Sequence, residues 1–324
     1  MIAPIRNIVV GVATLGEDDP GGGRQGDDPV LAPAVALAKA LGATLHVVHV
    51  HEMPAPFLSV YAQYAPYVDP GIRTQYCRDQ LARLERTTAG YGYTRIRCHS
   101  IEGSPGRTLV EVAAREKADL VIVGPTRRGR FWRNLLGTTA DRVIRGSPVP
   151  VLVIHQPFAR PVRRVLLTTD LSDESAQLHD RGADAAARLF GGGLELRTLM
   201  VVWFDALLPP PLKEDALKDA AEAELRDFVA ERPRGSEITP CVRFGEVPRE
   251  ICREADEWDA DLLVLGTHGR SGFSRLALGS TAAAALRGAS CNVLVVPRAV
   301  LKVEVPEIVV EPGLAAPKAA VAMG

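Results

Sequence analysis

The chain has 324 residues, 47% of them apolar and 24% charged, which exceeds one ordinary core and excludes a disordered or fibrous protein. Its net charge of −1 makes no electrostatic case for nucleic acid or an acidic membrane surface as partner. The 5 cysteines (Cys77, Cys98, Cys241, Cys252, Cys291) are scattered without a CxxC, which excludes a disulfide framework or a cysteine-built zinc site and suits a reducing compartment.

The opening MIAPIRNIVVGV has no basic region followed by a long apolar core, and no apolar run approaches bilayer-spanning length. A soluble, cytoplasmic chain is expected. The first strand runs through Asn7-Ile8-Val9-Val10, followed by a glycine-rich loop at 16–29 and a tyrosine-bearing segment at 54–77. Tyr61, Tyr64, Tyr67 and Tyr76 there suit a lid or partner surface, or a loop packed over its own domain. The segment LVIVGPTRRGRFWRNLLGTTA occupies 120–140, and a last strand 151–154 leads to a short linker near 156–161.

Beyond the linker, strand and helix alternate regularly. Strands are expected at 164–168, 194–203, 238–243, 262–265 and 292–296, and helices at 175–190, 215–231, 248–257 and 281–287. Leu217, Ala221, Leu225 and Phe228 share one face of the second of these helices. Cys252 falls on the apolar side of the third, a core position. The Pro/Ala-rich stretch from Leu301 leaves room for one strand at 303–310 before a disordered end.

The segment at 262–282, LLVLGTHGRSGFSRLALGSTA, is an imperfect copy of 120–140. A shift of 142 positions superimposes Gly245 on Gly103, Asp261 on Asp119, Gly266 on Gly124, Gly279 on Gly137 and Gly288 on Gly146. The first strands need 157, a difference absorbed by the loop at 16–29 and the segment at 54–77. The chain is one α/β domain written twice, over 1–156 and 161–298 with a tail at 299–324, each half a five-stranded parallel-type sheet covered on both faces. A duplicated domain keeps the self-complementary surface of a homodimer, so the halves are expected to pack about a pseudo-twofold axis, through 151–154 and 293–296. The whole is then a monomer with an internal pseudo-dimer, or a homodimer of such chains.

The glycines exclude two phosphate-binding designs. The first turns read GVATLG and TTDLSD, not the G-x-G-x-x-G of a dinucleotide Rossmann fold, and no Gly-Lys pair supplies a P-loop. Instead Gly266 ends the fourth strand of its half, Gly269 permits close backbone approach, and Gly279-Ser280 opens the next helix. Ser280 is expected to cap that helix and offer its hydroxyl to a phosphate. Arg270 is either a phosphate contact or a solvated loop charge, and His268 a local packing or hydrogen-bonding residue. Asp119 and Asp261 recur before the fourth strands as residues that fix a turn.

Tandem halves, a first strand ending LLTTDLS, ADLLVLGTHGRSG and the G-x2-G-x9-G-S run closing on CNVLVVP together resemble the universal stress protein family. The resemblance implies Rossmann-like domains of the adenine nucleotide alpha hydrolase type, and ATP bound between strands one and four with Mg2+ or Mn2+ on its phosphates. It places Asp170 at the adenosine, Leu265 and Gly266 along base and ribose, Gly269, Gly279, Ser280 and Thr281 on the phosphates, and Leu196 of strand two against the adenine. Asp170 has a simpler reading as a turn residue that caps the next helix.

The first half departs from this pattern. Ala13 stands for Asp170 and Arg127 for Gly269, while Gly124 and Gly137-Thr138 remain. Arg127, Arg128, Arg130 and Arg133 make a basic loop, either solvated surface or a site for another anion. The function expected is that of an ATP-binding regulatory protein with its nucleotide in the second half and an unidentified protein partner downstream. Its rivals are a slow ATPase or nucleotidyl transferase on the same fold, and a ligand-free interaction scaffold.

Overall fold

The computed structural model describes residues 4–13, 28–51, 70–124, 137–203, 214–267 and 278–297. The first half is built from β1 (Asn7–Val12), α1 (Leu31–Leu41), β2 (Thr44–His51), α2 (Pro70–Ala89), β3 (Ile96–Glu102), α3 (Pro105–Arg115), β4 (Leu120–Val123), α4 (Thr138–Gly146) and β5 (Val151–Val153). The second repeats the plan with β6 (Arg164–Thr169), α5 (Asp173–Phe190), β7 (Glu195–Val202), α6 (Glu214–Ala230), β8 (Ile238–Phe244), α7 (Val247–Glu257), β9 (Leu262–Gly266), α8 (Ser280–Gly288) and β10 (Asn292–Val296). Helix α5 starts at Asp173 because the Ser172 side chain accepts from Ser175 N, and Asp173 and Glu174 then suit the positive end of the helix.

All ten strands form one sheet in the order β3-β2-β1-β4-β5-β10-β9-β6-β7-β8. Every neighbouring pair is parallel except β5 and β10, which run antiparallel with Leu152 opposite Leu294. Right-handed crossovers then dictate where the helices go. From β1 to β3 the chain steps one way across the sheet, which puts α1 and α2 on one face. From β3 to β5 it steps the other way, which puts α3 and α4 on the opposite face.

Side-chain alternation follows the same division. Ile8 and Val10 of β1 pack with Leu31 and Val35 of α1, whereas Val9 faces Val112 of α3 and Val143 of α4. In the second half Val165 and Leu167 face α5 while Leu166 faces the other layer, with Ile251 of α7 and Leu286 of α8. Gly182 lets α5 sit close on β9, because a β-carbon there would stand 2.6 Å from Val264 Cγ1. Cys252 is half-buried between α7 and α8, where a β-carbon on Gly288 would meet its sulfur at 2.9 Å.

The recurring aspartates fasten strands. Asp119 Oδ2 accepts from Arg6 N at 2.7 Å and Asn7 N at 3.0 Å. Asp261 Oδ2 accepts in the same way from Arg163 N at 2.8 Å and Arg164 N at 2.9 Å. Each thereby ties the start of the fourth strand of its half to the start of the first. Tyr76 lies on α2 with its ring at 77° to that of His51, whereas Tyr61, Tyr64, Tyr67, the arginines at 127, 128, 130 and 133 and the stretch 303–310 lie outside the described residues.

A buried amide secures the joint between the halves. Asn292, 3% exposed at the start of β10, accepts through Oδ1 from His155 N at 2.9 Å and Gln156 N at 3.1 Å, just after β5. Asn292→Ala leaves two N–H donors without their partner and is expected to cost about 1–3 kcal/mol, read as a lower urea midpoint at unchanged m-value.

Candidate functional site

In the second half the chain leaves β6 for β7 on one side, while β9 pairs on the other. Beyond the carboxyl ends of β6 and β9 the connections diverge and leave a crevice, the place where open α/β sheets take ligands. It forms a cavity of about 700 Å³, within the usual range for small-molecule sites.

Its floor is the turn after β6. Asp170 Oδ1 accepts from Ser172 N at 3.1 Å and from the Ser172 hydroxyl at 2.6 Å. The Ser175 hydroxyl accepts from Asp170 N at 3.2 Å and sits 2.9 Å from Thr169 Oγ1, which accepts from Leu171 N at 3.0 Å. This network holds Leu171 at φ +63°, a left-handed conformation that a branched side chain rarely adopts. Local strain is thus stored beside the cavity and held by five hydroxyl and carboxylate contacts. The helix cap is Ser172, and Asp170 acts by orienting it.

The opposite wall is the end of β9 with the start of α8. Leu265, Gly266 and Thr267 line the cavity, and Gly279, Ser280 and Thr281 face them. Gly279 N donates to Thr267 O at 3.0 Å, which draws the two ends of the intervening loop together. The N-cap is Gly279 and not Ser280, which is the first helical residue and exposed. Ser280 is therefore released from capping, and the first residues of α8, at its anion-favouring end, line the cavity.

Six of the residues singled out in the sequence meet at this cavity: Asp170, Leu265, Gly266, Gly279, Ser280 and Thr281. Gly269, Arg270 and His268 lie outside the described residues. Leu196 does not reach the site. It is the second residue of β7, paired with Val165 and Ile238 and 2% exposed in the core, toward the amino ends of the strands. The residues of β7 that line the cavity are Met200, Val201 and Val202 at its carboxyl end, followed by Trp203.

Trp203, 61% exposed, His179 of α5 and Leu217, Ala220, Ala221 and Glu224 of α6 also line the cavity; the sequence marks Leu217 and Ala221 only as helix-face residues and the others not at all. An exposed aromatic directly after a buried strand was the available signal for Trp203. His179 is 3% exposed, with Nε2 2.7 Å from Thr198 Oγ1, and burial holds its pKa below the ordinary value of 6.5.

The matching corner of the first half is built differently. Asp28 Oδ2 accepts from Ala13 N at 2.8 Å and its Oδ1 from Val30 N at 3.1 Å. Val30 Cγ1 comes within 3.1 Å of where a β-carbon on Gly124 would stand. Carboxylate and valine side chain thus occupy the neighbourhood of β1 and β4 that the crevice occupies in the second half.

The model of the universal stress protein family matches residues 5–155 and again 161–297. The chain belongs to the universal stress protein family. Its tandem form is shared by relatives: a universal stress protein of Mycolicibacterium smegmatis is 32% identical over 63% of this chain and 68% of its own length. One from Mycobacterium tuberculosis is 29% identical over 62% of this chain and 68% of its own. Among solved structures, a universal stress protein of Pseudomonas aeruginosa superimposes with a TM-score of 0.61 at 20% identity, covering 91% of this chain and 94% of that one. One from Archaeoglobus fulgidus gives 0.57 at 18% identity, covering 90% and 98%. No helix among the described residues of this family member is long and apolar enough to cross a membrane.

Burial lowers the pKa of His46, His99, His155 and His179 alike, so the folded chain resists protonation that the unfolded chain accepts near 6.5. Stability is expected to be intact above about pH 6.5 and to fall as pH drops below it. Urea midpoints at pH 7.5 and 5.5 measure the loss, and His179→Gln should make it smaller.

Proposed function

We propose that the protein is an ATP-binding regulator whose single nucleotide site is the crevice of the second half. The observation that carries this reading is the pairing of an apolar, aromatic-edged wall at the end of β7 with the open amino end of α8 across one cavity. Trp203, Met200 and Val202 offer a surface for a purine face. Asp170 offers a carboxylate to sugar hydroxyls, and the first turn of α8 offers N–H groups and the hydroxyls of Ser280 and Thr281 to phosphate. In the sequence the G-x2-G-x9-G-S run adds Gly269, a residue type that permits close backbone approach. A Mg2+ or Mn2+ ion would act by neutralising adjacent phosphates.

In the first half, Asp28 and Val30 crowd the equivalent corner, and Arg127 stands where the second half has Gly269. One nucleotide per chain follows. Regulation then means that nucleotide favours one conformation or partner surface over another, through different affinity for the two states.

Titration of the full chain with ATP and Mg2+, read by tryptophan fluorescence with Trp203→Phe as the control for the signal, should give one equivalent per chain. Gly269→Arg copies the first half and should abolish binding at unchanged circular dichroism. Asp170→Ala removes a charged hydrogen-bond acceptor and should weaken binding by about 1.5–3 kcal/mol, roughly 10- to 150-fold. Two equivalents, or full affinity in Gly269→Arg, would overturn the assignment.

A further inference from the structure

On the first half's sheet, His46 of β2 and His99 of β3 point to the face covered by α3. Val48, two residues from His46 and paired with His99, packs on that face with Leu109 and Val112. His46 is 1% exposed. Its Nδ1 lies 3.2 Å from His99 Nε2 and 3.7 Å from Oε2 of Glu116, the residue that ends α3. Among the described residues these three form the group of His, Cys, Asp or Glu whose donor atoms all fall within 4.8 Å of one another. Two ligand atoms on a tetrahedral zinc ion stand about 3.3 Å apart, from metal–ligand bonds of about 2.0–2.1 Å. The two nitrogens already have that spacing, Glu116 Oε2 is a few tenths of an ångström beyond it from His46 Nδ1, and all three donor atoms lie within 4.8 Å of one another.

The second half shows what the fold otherwise places here. The strand registers superimpose Arg197 on His46 and Cys241 on His99, and Trp258 ends α7 as Glu116 ends α3. Arg197 donates to Oε1 of the buried Glu254 at 2.6 Å and lies 4.3 Å from the centroid of the Trp258 ring. One half thus seats a fixed cation on a carboxylate at this place. The other half offers two imidazoles and a carboxylate to the same place.

We propose that His46 Nδ1, His99 Nε2 and Glu116 Oε2 bind a divalent transition ion of the zinc type, with water completing its shell. Two nitrogens among three donors select zinc over magnesium or calcium. The other Glu116 oxygen accepts from Arg115 Nε at 2.9 Å, which fixes the carboxylate's orientation. Arg97 and Arg115 oppose the ion's charge, but both side chains are exposed and their repulsion is screened.

The test is calorimetric titration of the metal-stripped full chain with Zn2+ alone. One equivalent is expected, with a raised melting temperature. His99→Gln and Glu116→Gln should each weaken that binding by more than about 100-fold, since even outer-shell partners of a metal contribute 10- to 100-fold. Glu116 is half-buried at a helix end, so its variant should fold if the His99 variant does not, as circular dichroism will show. Co2+ in place of zinc should give visible d–d absorption without a thiolate charge-transfer band. The competing location is Cys77 Sγ with His51 Nε2, 3.3 Å apart. Absence of zinc binding, or binding that survives Glu116→Gln but disappears in Cys77→Ser, would overturn the proposal.

Discussion

The antiparallel contact of β5 with β10 is the constraint on which the rest of the molecule depends. Each half ends on a strand whose residues are all buried, Val151–Val153 in one and Asn292–Val296 in the other. Left as edges, these strands would expose unpaired backbone and apolar side chains on both faces, a template for aggregation. Pairing them with each other removes both edges at once and fuses two five-stranded layers into one sheet. The buried Asn292 amide closes the joint from the side by holding the chain just after β5.

Within each half, crossover handedness creates the crevice and short polar contacts shape it. In the second half the turn after β6 is held in a strained path by Thr169, Asp170, Ser172 and Ser175, and the cavity stays open. In the first half Asp28 instead accepts from the backbone just after β1, at Ala13 N. The two copies have kept the same scaffold, down to the aspartates that fasten fourth strand to first, while their polar side chains have been reassigned. The same reassignment shows on the other sheet face, where Arg197 with Trp258 in one half matches His46 with Glu116 in the other.

The sequence was most legible where physics acts locally. Buried strands, capped helices and the duplicated glycine spacing fall within two residues of their expected places, because period and turn chemistry are properties of short segments. Six cavity residues follow from one motif and the end of one strand. Leu196 shows where the resemblance ends: it put a residue of strand two against the adenine, but pairing register puts Leu196 near the amino end of β7, away from the crevice at the carboxyl end. His179 and Trp203 come to the cavity from elements that share no motif with the glycines. His46 and His99 are 53 positions apart and become neighbours only through the parallel register of β2 with β3.

Because β5 and β10 run in opposite directions, the carboxyl ends of the strands in the two halves point to opposite edges of the common sheet. The second half's crevice and the first half's matching corner therefore open on opposite sides of the molecule. The β5–β10 seam is where the sheets of the two halves join. The molecule is in this sense two-sided: a cavity of about 700 Å³ opens where the strands of the second half end, and Asp28 and Val30 stand where those of the first half end, on the opposite side.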